Sequence, residues 1–599
     1  MGKRIGISSL AVLLAAALLF ALLPHLQRSG ALDGHDNTAQ EWDRVIAYVP
    51  LDDRTDNMED VLYLAEASGY QLLLPPEGSY ATKLDGQPLN ANGTQHGDRE
   101  TLFTWVQEMD SAGCNLFLLS LDQLFSGGLV HSRAMSENEN LHFADGDMSE
   151  TEGFDRFILA LGNDPNNRVY LFDSVMRLAS TVGYGGFGAE EYYALREYGM
   201  VARPLLPQES LTLDKVFSCY GLSADGEKAE YALGDDTYRK LLTDGVIRDY
   251  LAARERKMRL LDHVMQALQG KAQFRLFVGI DDSSNTCNIQ YNELHYINAH
   301  IGDAGAVMVG LDSLARLLIA RMAVDECGHA VRTAVRCFGG SEDQYSSEFD
   351  LYTLAETSDF YMELFGAEPA EPEDAELQIL LMTAPAEESR KTEYIGQLLA
   401  ALAENQSSHV PTVLVEASNN AYGEELENAL LTRVSFGSLM GYAGKYDQAV
   451  VTGVAFAMGF SRYLHLLYDA PGDASDIAQA KQLANAMALT RYILHSRYEL
   501  NLYIESCGCD YNNMQPDRRS GELITEKLDE LFRLAAAPVE ENLIGSALPV
   551  SLDPYAEKEI GSLAIGKAVF PWQRTFEISF PVAAALKPST QEDTHSCTN

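Results

Sequence analysis

Short apolar runs rich in Val, Ile, Leu and Phe alternate with longer amphipathic stretches along most of this chain. The runs are 44–49, 70–74, 115–121, 169–172, 274–280, 306–311, 331–337, 377–382 and 412–415. They have strand length and are apolar throughout, which predicts strands buried on both faces. Between them, 100–109, 238–268, 313–323, 391–403 and 424–430 read as helices. Such alternation predicts α/β architecture with parallel sheets. We expect a TIM-barrel-like α/β domain over 42–345 and a second, smaller α/β domain over 346–540, because the alternation exceeds what one eight-stranded barrel needs. Residues 179–237 break the rhythm with Gly183-Tyr184-Gly185-Gly186-Phe187-Gly188 and with Pro204 and Pro207, and read as an insertion near the mouth of the first domain. A less helical C-terminal extension follows over 541–586, then a disordered tail over 587–599.

The N-terminus departs from this pattern. Lys3 and Arg4 precede an uncharged apolar run from Ile5 to Leu23, with Ser8 and Ser9 its only hydroxyl residues. About 20 apolar residues span a bilayer as a helix, and flanking basic residues stay on the cytoplasmic side. Residues 1–27 are therefore expected to be a hydrophobic helix, either signal peptide or membrane anchor. No small-x-small site follows Leu23, which favours the anchor. Residues 28–41 read as a linker, and the chain from about Gln40 onward is expected outside the cytoplasm, membrane-anchored or secreted.

Composition narrows the partners. Net charge is −43 over 599 residues, which repels nucleic-acid phosphates and anionic lipid, so no nucleic-acid partner is expected and membrane contact only through the N-terminal segment. The eight cysteines include no C-x-x-C pair, and Cys507-Gly508-Cys509 is too tight for the usual zinc spacing. No G-x-S-x-G, H-E-x-x-H, P-loop or G-x-G-x-x-G occurs in its proper context. No cofactor is expected. If a metal binds, carboxylates with few histidines suit Mg²⁺ or Ca²⁺.

The polar residues cluster where the apolar runs end. The first run leads into Asp52-Asp53-Arg54, the third into Asp122 and then His131-Ser132-Arg133, and the fourth into Asp173 and Arg177. The fifth leads into Asp281-Asp282-Ser283-Ser284, with Glu293 on the helix beyond, and the sixth into Asp312. Sites in α/β folds form at the carboxyl ends of parallel strands. Any single Asp after a strand also serves as a helix cap, whereas the set predicts one acidic pocket. Two carboxylates confined together raise one pKa, which suits a general acid near neutral pH. Adjacent residues on an extended chain point to opposite sides, so one of each Asp pair is expected to face substrate while its neighbour takes an arginine.

These same segments carry a resemblance. Tyr48-Val49-Pro50-Leu51-Asp52-Asp53-Arg54 is similar to the PLDDRP signature of the bacterial family catalogued as domain of unknown function 4127, with Thr55 in place of the final Pro and Asn57 kept. Asp122 through Gly127-Gly128-Leu129 to Ser132-Arg133, Met176-Arg177, Asp281-Asp282-Ser283 with Glu293, and Pro571-Trp572-Gln573-Arg574-Thr575-Phe576-Glu577 also resemble its segments. The chain departs at Gly310-Leu311-Asp312-Ser313, where the family carries Gly-Ala-Asp-Glu, and at Gly444-Lys445-Tyr446-Asp447 in place of a Gly-Trp-Asn-Thr segment. The resemblance spans about 44–578 and implies site positions more than a reaction.

The residues together predict an extracytoplasmic, carboxylate-dependent hydrolase acting on glycans of the envelope or environment. Asp281, Asp282, Asp52, Asp53 and Asp122 are the candidate catalytic carboxylates, and Arg54, Arg133, Arg177, Glu293 and Asp312 the candidate substrate-binding groups. Two alternatives stand beside it: a non-catalytic glycan-binding or scaffold protein, and a metal-dependent hydrolase of phosphoesters or amides.

Overall fold

A computed structural model describes residues 44–221, 242–345, 347–445, 448–469 and 472–587. The N-terminal apolar run, the linker, residues 222–237 of the expected insertion and the tail from 588 lie outside the described residues.

Six parallel strands form the first sheet: β1 (Val45–Val49), β2 (Gln71–Leu73), β3 (Leu116–Ser120), β4 (Arg168–Val175), β5 (Phe274–Ile280) and β6 (Gly305–Met308). Their order is β2-β1-β3-β4-β5-β6. Each inner strand is apolar on both sides because helices cover both faces. Ile46 and Tyr48 of β1 enter one core with Leu118, Tyr170 and Phe277, while Ala47 and Val49 enter the other with Phe117, Leu171 and Val278. Burying each large apolar side chain contributes about 1.5–3 kcal/mol, which fixes the alternation and hence the register. The connecting helices begin where a side-chain oxygen can satisfy a free backbone N–H. Asp98 caps Arg99–Ser111 through Thr101 N at 3.0 Å, and Thr243 caps Asp244–Ala267.

A second parallel sheet comprises β7 (Arg332–Phe338), β8 (Glu368–Pro369), β9 (Leu377–Thr383), β10 (Thr412–Ala417) and β11 (Gly441–Ala443), in the order β8-β7-β9-β10-β11. The helix Gln448–Tyr468 is long and apolar enough to cross a bilayer, but 89% of its apolar window is buried inside the fold, packed between the helix Leu314–Cys327 and this sheet. It is a core helix. The helix Asp473–Arg491 then crosses to pack on the helix Glu59–Ala67 that follows β1, so one hydrophobic core runs through both sheets. An antiparallel sheet of β12 (Ala547–Leu552), β13 (Tyr555–Ile565) and β14 (Val582–Leu586) ends the described chain.

The α/β class with parallel sheets is as the periodicity predicts; the barrel is not. A barrel needs each strand to follow the last around a closed ring. Here β1 lies between β2 and β3, so the order reverses after the first strand, and among the described residues β2 and β6 remain as open edges. Periodicity reports burial on both faces, which a closed barrel and an open doubly covered sheet share.

Candidate functional site

The reversal between β1 and β3 leaves a crevice outside the carboxyl ends of the strands, where open α/β sheets bind ligands. Asp52-Asp53-Arg54 leaves β1 at this point. Asp52 is fully buried and accepts from Arg54 Nε at 2.9 Å, the Arg54 backbone N–H at 3.1 Å and Asn57 Nδ2 at 2.8 Å. Its neighbour Asp53 points the other way and accepts from the Thr82 backbone N–H at 3.0 Å and Trp572 Nε1 at 2.8 Å. Burial pushes the Asp53 carboxyl up to about 6, against these two donors and the Lys83 charge. Arg54 also donates from Nη2 to Asp312 Oδ1 at 2.8 Å, tying the end of β1 to the loop after β6.

The pair after β5 also splits between separate partners, but here both are arginines. Asp281 is buried and accepts from Arg133 Nε at 3.0 Å and Nη2 at 2.6 Å. Burial outweighs that guanidinium and, with the charge of Asp282, leaves Asp281 above the usual carboxylate range. Asp282 accepts from Arg177 Nη1 at 2.9 Å and keeps 39% of its side chain exposed. The Arg177 guanidinium lies over the Tyr192 ring, 5.2 Å from its centre.

A small cleft opens here, lined by Asp281, Asp282, Asp312 and Asp350 with Ile280, Val309 and Leu351 among its apolar walls. Asp312 is 35% exposed, so it and Asp282 are the site's solvent-facing carboxylates. The far wall, Phe349 to Leu351, is held by Arg196, whose Nη2 donates to the carbonyls of Ser283 at 3.2 Å and Glu348 at 3.1 Å while its guanidinium covers Phe349.

Two of the expected site residues stand elsewhere. Asp122 does not reach the cleft. Beneath the sheet edge it forms a buried triad with Lys257 and Asp173, in which Lys257 Nζ contacts Asp122 and donates to Asp173 at 2.9 Å. Burial alone would raise Asp122, but the ammonium holds it below the usual range, and Asp173, buried beside that charge, is pushed up to about 6. Glu293 is fully engaged behind the site by Arg254, whose Nε donates at 2.8 Å, and by the Tyr220 hydroxyl at 2.6 Å. Arg254 in turn donates to the Arg177 carbonyl at 2.7 Å, so Glu293 supports Arg177 from the rear. Strand-end position placed both residues correctly along the chain and could not show that a cation from the helix 244–267 would claim them.

The C-terminal extension carries one of the family-like segments, but its residues are not among the expected site residues. It returns to the crevice. Trp572 holds Asp53, and its ring carries both Arg54 and Arg574 at 5.3 and 5.5 Å. Arg574 donates to the carbonyls of Asn512 at 3.0 Å and Val182 at 2.7 Å. Burial, with Arg177, Arg54 and Arg133 nearby, lowers Arg574 to about 10, still charged at neutral pH. Glu577 completes the set, and burial pushes it up to about 7 despite Arg574 and Arg54. The Trp-Gln-Arg-Thr-Phe-Glu string was the available signal: such charges are rarely buried unless paired.

Among the described residues no group of three or more His, Cys, Asp or Glu side chains is arranged to hold a metal ion. The carboxylates are interleaved with arginines instead of converging on one point.

Fold and site together define an open-sheet α/β protein with an arginine-compensated acidic cleft at the carboxyl ends of its strands. The chain belongs to the family described as "Protein of unknown function (DUF4127)", whose model matches residues 46–581. It matches no curated protein and no solved structure.

Proposed function

We propose that this protein is a carboxylate-dependent hydrolase acting on glycans outside the cytoplasm. One observation carries the reading: two solvent-facing carboxylates, Asp282 and Asp312, share a cleft, backed by the Asp53 and Asp281 carboxyls, which burial raises above the usual carboxylate range. Glycosidic bonds are cleaved by such pairs, one group giving a proton and the other activating water or attacking. Asp282 is the candidate acid/base or nucleophile and Asp312 its partner, with Asp53 a proton-bearing group behind them. Tyr352, which follows the far wall, and Tyr291 are both partly exposed and offer rings with an apolar face and a polar tip. The basic start and apolar run of residues 3–23 support export and anchoring.

The test is a screen of the purified protein against envelope glycans and chromogenic glycosides, with Asp282→Asn as control. Turnover lost in that variant supports the reading; no turnover on any substrate overturns it. A second reading is favoured by the arginines that occupy Asp281 and Asp282: the cleft binds glycans without cleaving them. Calorimetric binding with no product by mass spectrometry would select it.

A further inference from the structure

Glu577 is the one carboxyl of this site whose oxygens are both unfilled. Its side chain is 2% exposed, and neither Oε1 nor Oε2 has a hydrogen-bond partner. The nearest cations are Arg574 Nη1 at 3.8 Å and Arg54 Nη1 at 3.9 Å, each about 1 Å beyond hydrogen-bonding distance. These two arginines differ in their freedom. Arg574 is anchored to the backbone of Asn512 and Val182. Arg54 is shared among carboxylates: Nε and Nη2 face Asp52, Nη2 also serves Asp312, and Nη1 faces Glu577. An ionised carboxylate attracts a guanidinium far more strongly than a neutral acid does, and more so where water is excluded. A small movement of Arg54 toward Glu577 lengthens its contact with Asp312, the more exposed and less anchored of its partners.

We propose that Glu577 is a positioning residue: its ionisation draws Arg54 away from Asp312, and so sets how free Asp312 is to meet a bound substrate. The inference rests on the cleft being the working site. The charged groups facing Glu577 are Arg574 on its own segment and Asp52, Arg54 and Asp56 on the loop after β1. Burial is the largest influence and places the carboxyl at about 7. Below that pH Glu577 is neutral and Arg54 stays on Asp312; above it Glu577 is charged and Asp312 is released.

Side-chain NMR of ¹⁵N-labelled full-length protein tests this, with the Arg54 Nε–H signal assigned by its loss in Arg54→Lys. The expected result is a shift in that signal with a midpoint near pH 7, absent in Glu577→Gln and retained with a moved midpoint in Glu577→Asp. An Arg54 signal that does not titrate, or titrates identically in Glu577→Gln, overturns the inference. Should Glu577→Gln fail to fold, the wild-type titration and Glu577→Asp decide alone: a midpoint near pH 7 that moves in Glu577→Asp supports the inference, and a flat or unmoved profile overturns it. If no glycan is turned over, the hydrolase reading fails while this titration still gives its own answer.

Discussion

Both parallel sheets place their second strand on one side of the first and the rest on the other, so each has a crevice at its carboxyl ends. What meets along the carboxyl ends of the strands differs. At the first sheet, carboxylates from the loops after β1, β5 and β6 are interleaved with Arg54, Arg133 and Arg177, and a cleft opens to solvent. At the second, Glu416 of β10 is buried with Glu427 of the helix Glu424–Arg433. The Tyr442 hydroxyl donates to Glu416 at 2.5 Å, and His495 Nε2 stands 3.2 Å from Glu427. Burial and the Glu427 carboxyl hold Glu416 well above the usual carboxylate range, while Arg491 opposes them only weakly. One edge sets several cations against its buried acid, whereas the other holds its acid with few. Equal topology therefore supplies an equal location and leaves the chemistry to the residues that happen to end each strand.

The comparison breaks most visibly on removing a cation. Lys257→Met strands Asp122 and Asp173 in the first edge and is expected to cost about 3–5 kcal/mol, whereas Glu427→Gln in the second, relieving a like charge, should change stability by less than about 1 kcal/mol. Urea denaturation of both variants checks this, and similar losses would erase the distinction. Function should separate the edges as well. Asp282→Asn is expected to lower turnover at least about 100-fold while Glu416→Gln leaves it within about twofold; equal losses in a kinetic assay would move the site.

pH provides a third handle. Glu577 holds its proton to about 7 and Asp53 to about 6 in the fold, above the ordinary values of about 4.3 and 3.9. Between roughly pH 4 and 7 these two groups bind more protons in the folded chain than in the unfolded one, so their contribution to stability falls as pH rises through that window. Glu577 alone contributes on the order of 3 kcal/mol to that fall, so Glu577→Gln should flatten the profile of melting temperature against pH. A further effect is expected at Trp572→Phe, which removes the Nε1–H donor to Asp53 and should cost about 1–3 kcal/mol while moving the Asp53 midpoint further up, read by carboxyl-sensitive infrared titration.

Much of the fold was legible in the chain. The runs from 44–49 to 412–415 are all strands, and the amphipathic stretches between them are helices, with ends displaced by a few residues. Short strands such as Gly441–Ala443 and Glu368–Pro369 escaped because two or three residues carry no period. At the site, the two carboxyls of each Asp pair take different partners, as the alternation of an extended chain implies, but the expected division of one arginine per pair does not hold: Asp281 and Asp282 take Arg133 and Arg177, each more than 100 residues away along the chain.

The sequence by itself determined which segments are strands, that their faces are buried, and that acidic residues leave their ends, because periodicity and strand-end position are local properties. Only the tertiary structure decided that the sheet stays open, that Lys257 and Arg254 withdraw Asp122 and Glu293 from the cleft, and that Trp572, Arg574 and Glu577 return to it. Those outcomes depend on strand order and on partners distant in the chain, such as Asp53 and Trp572, 519 residues apart. No local pattern encodes them, since the free energy that selects them arises only when buried charges meet the particular cations and donors that satisfy them.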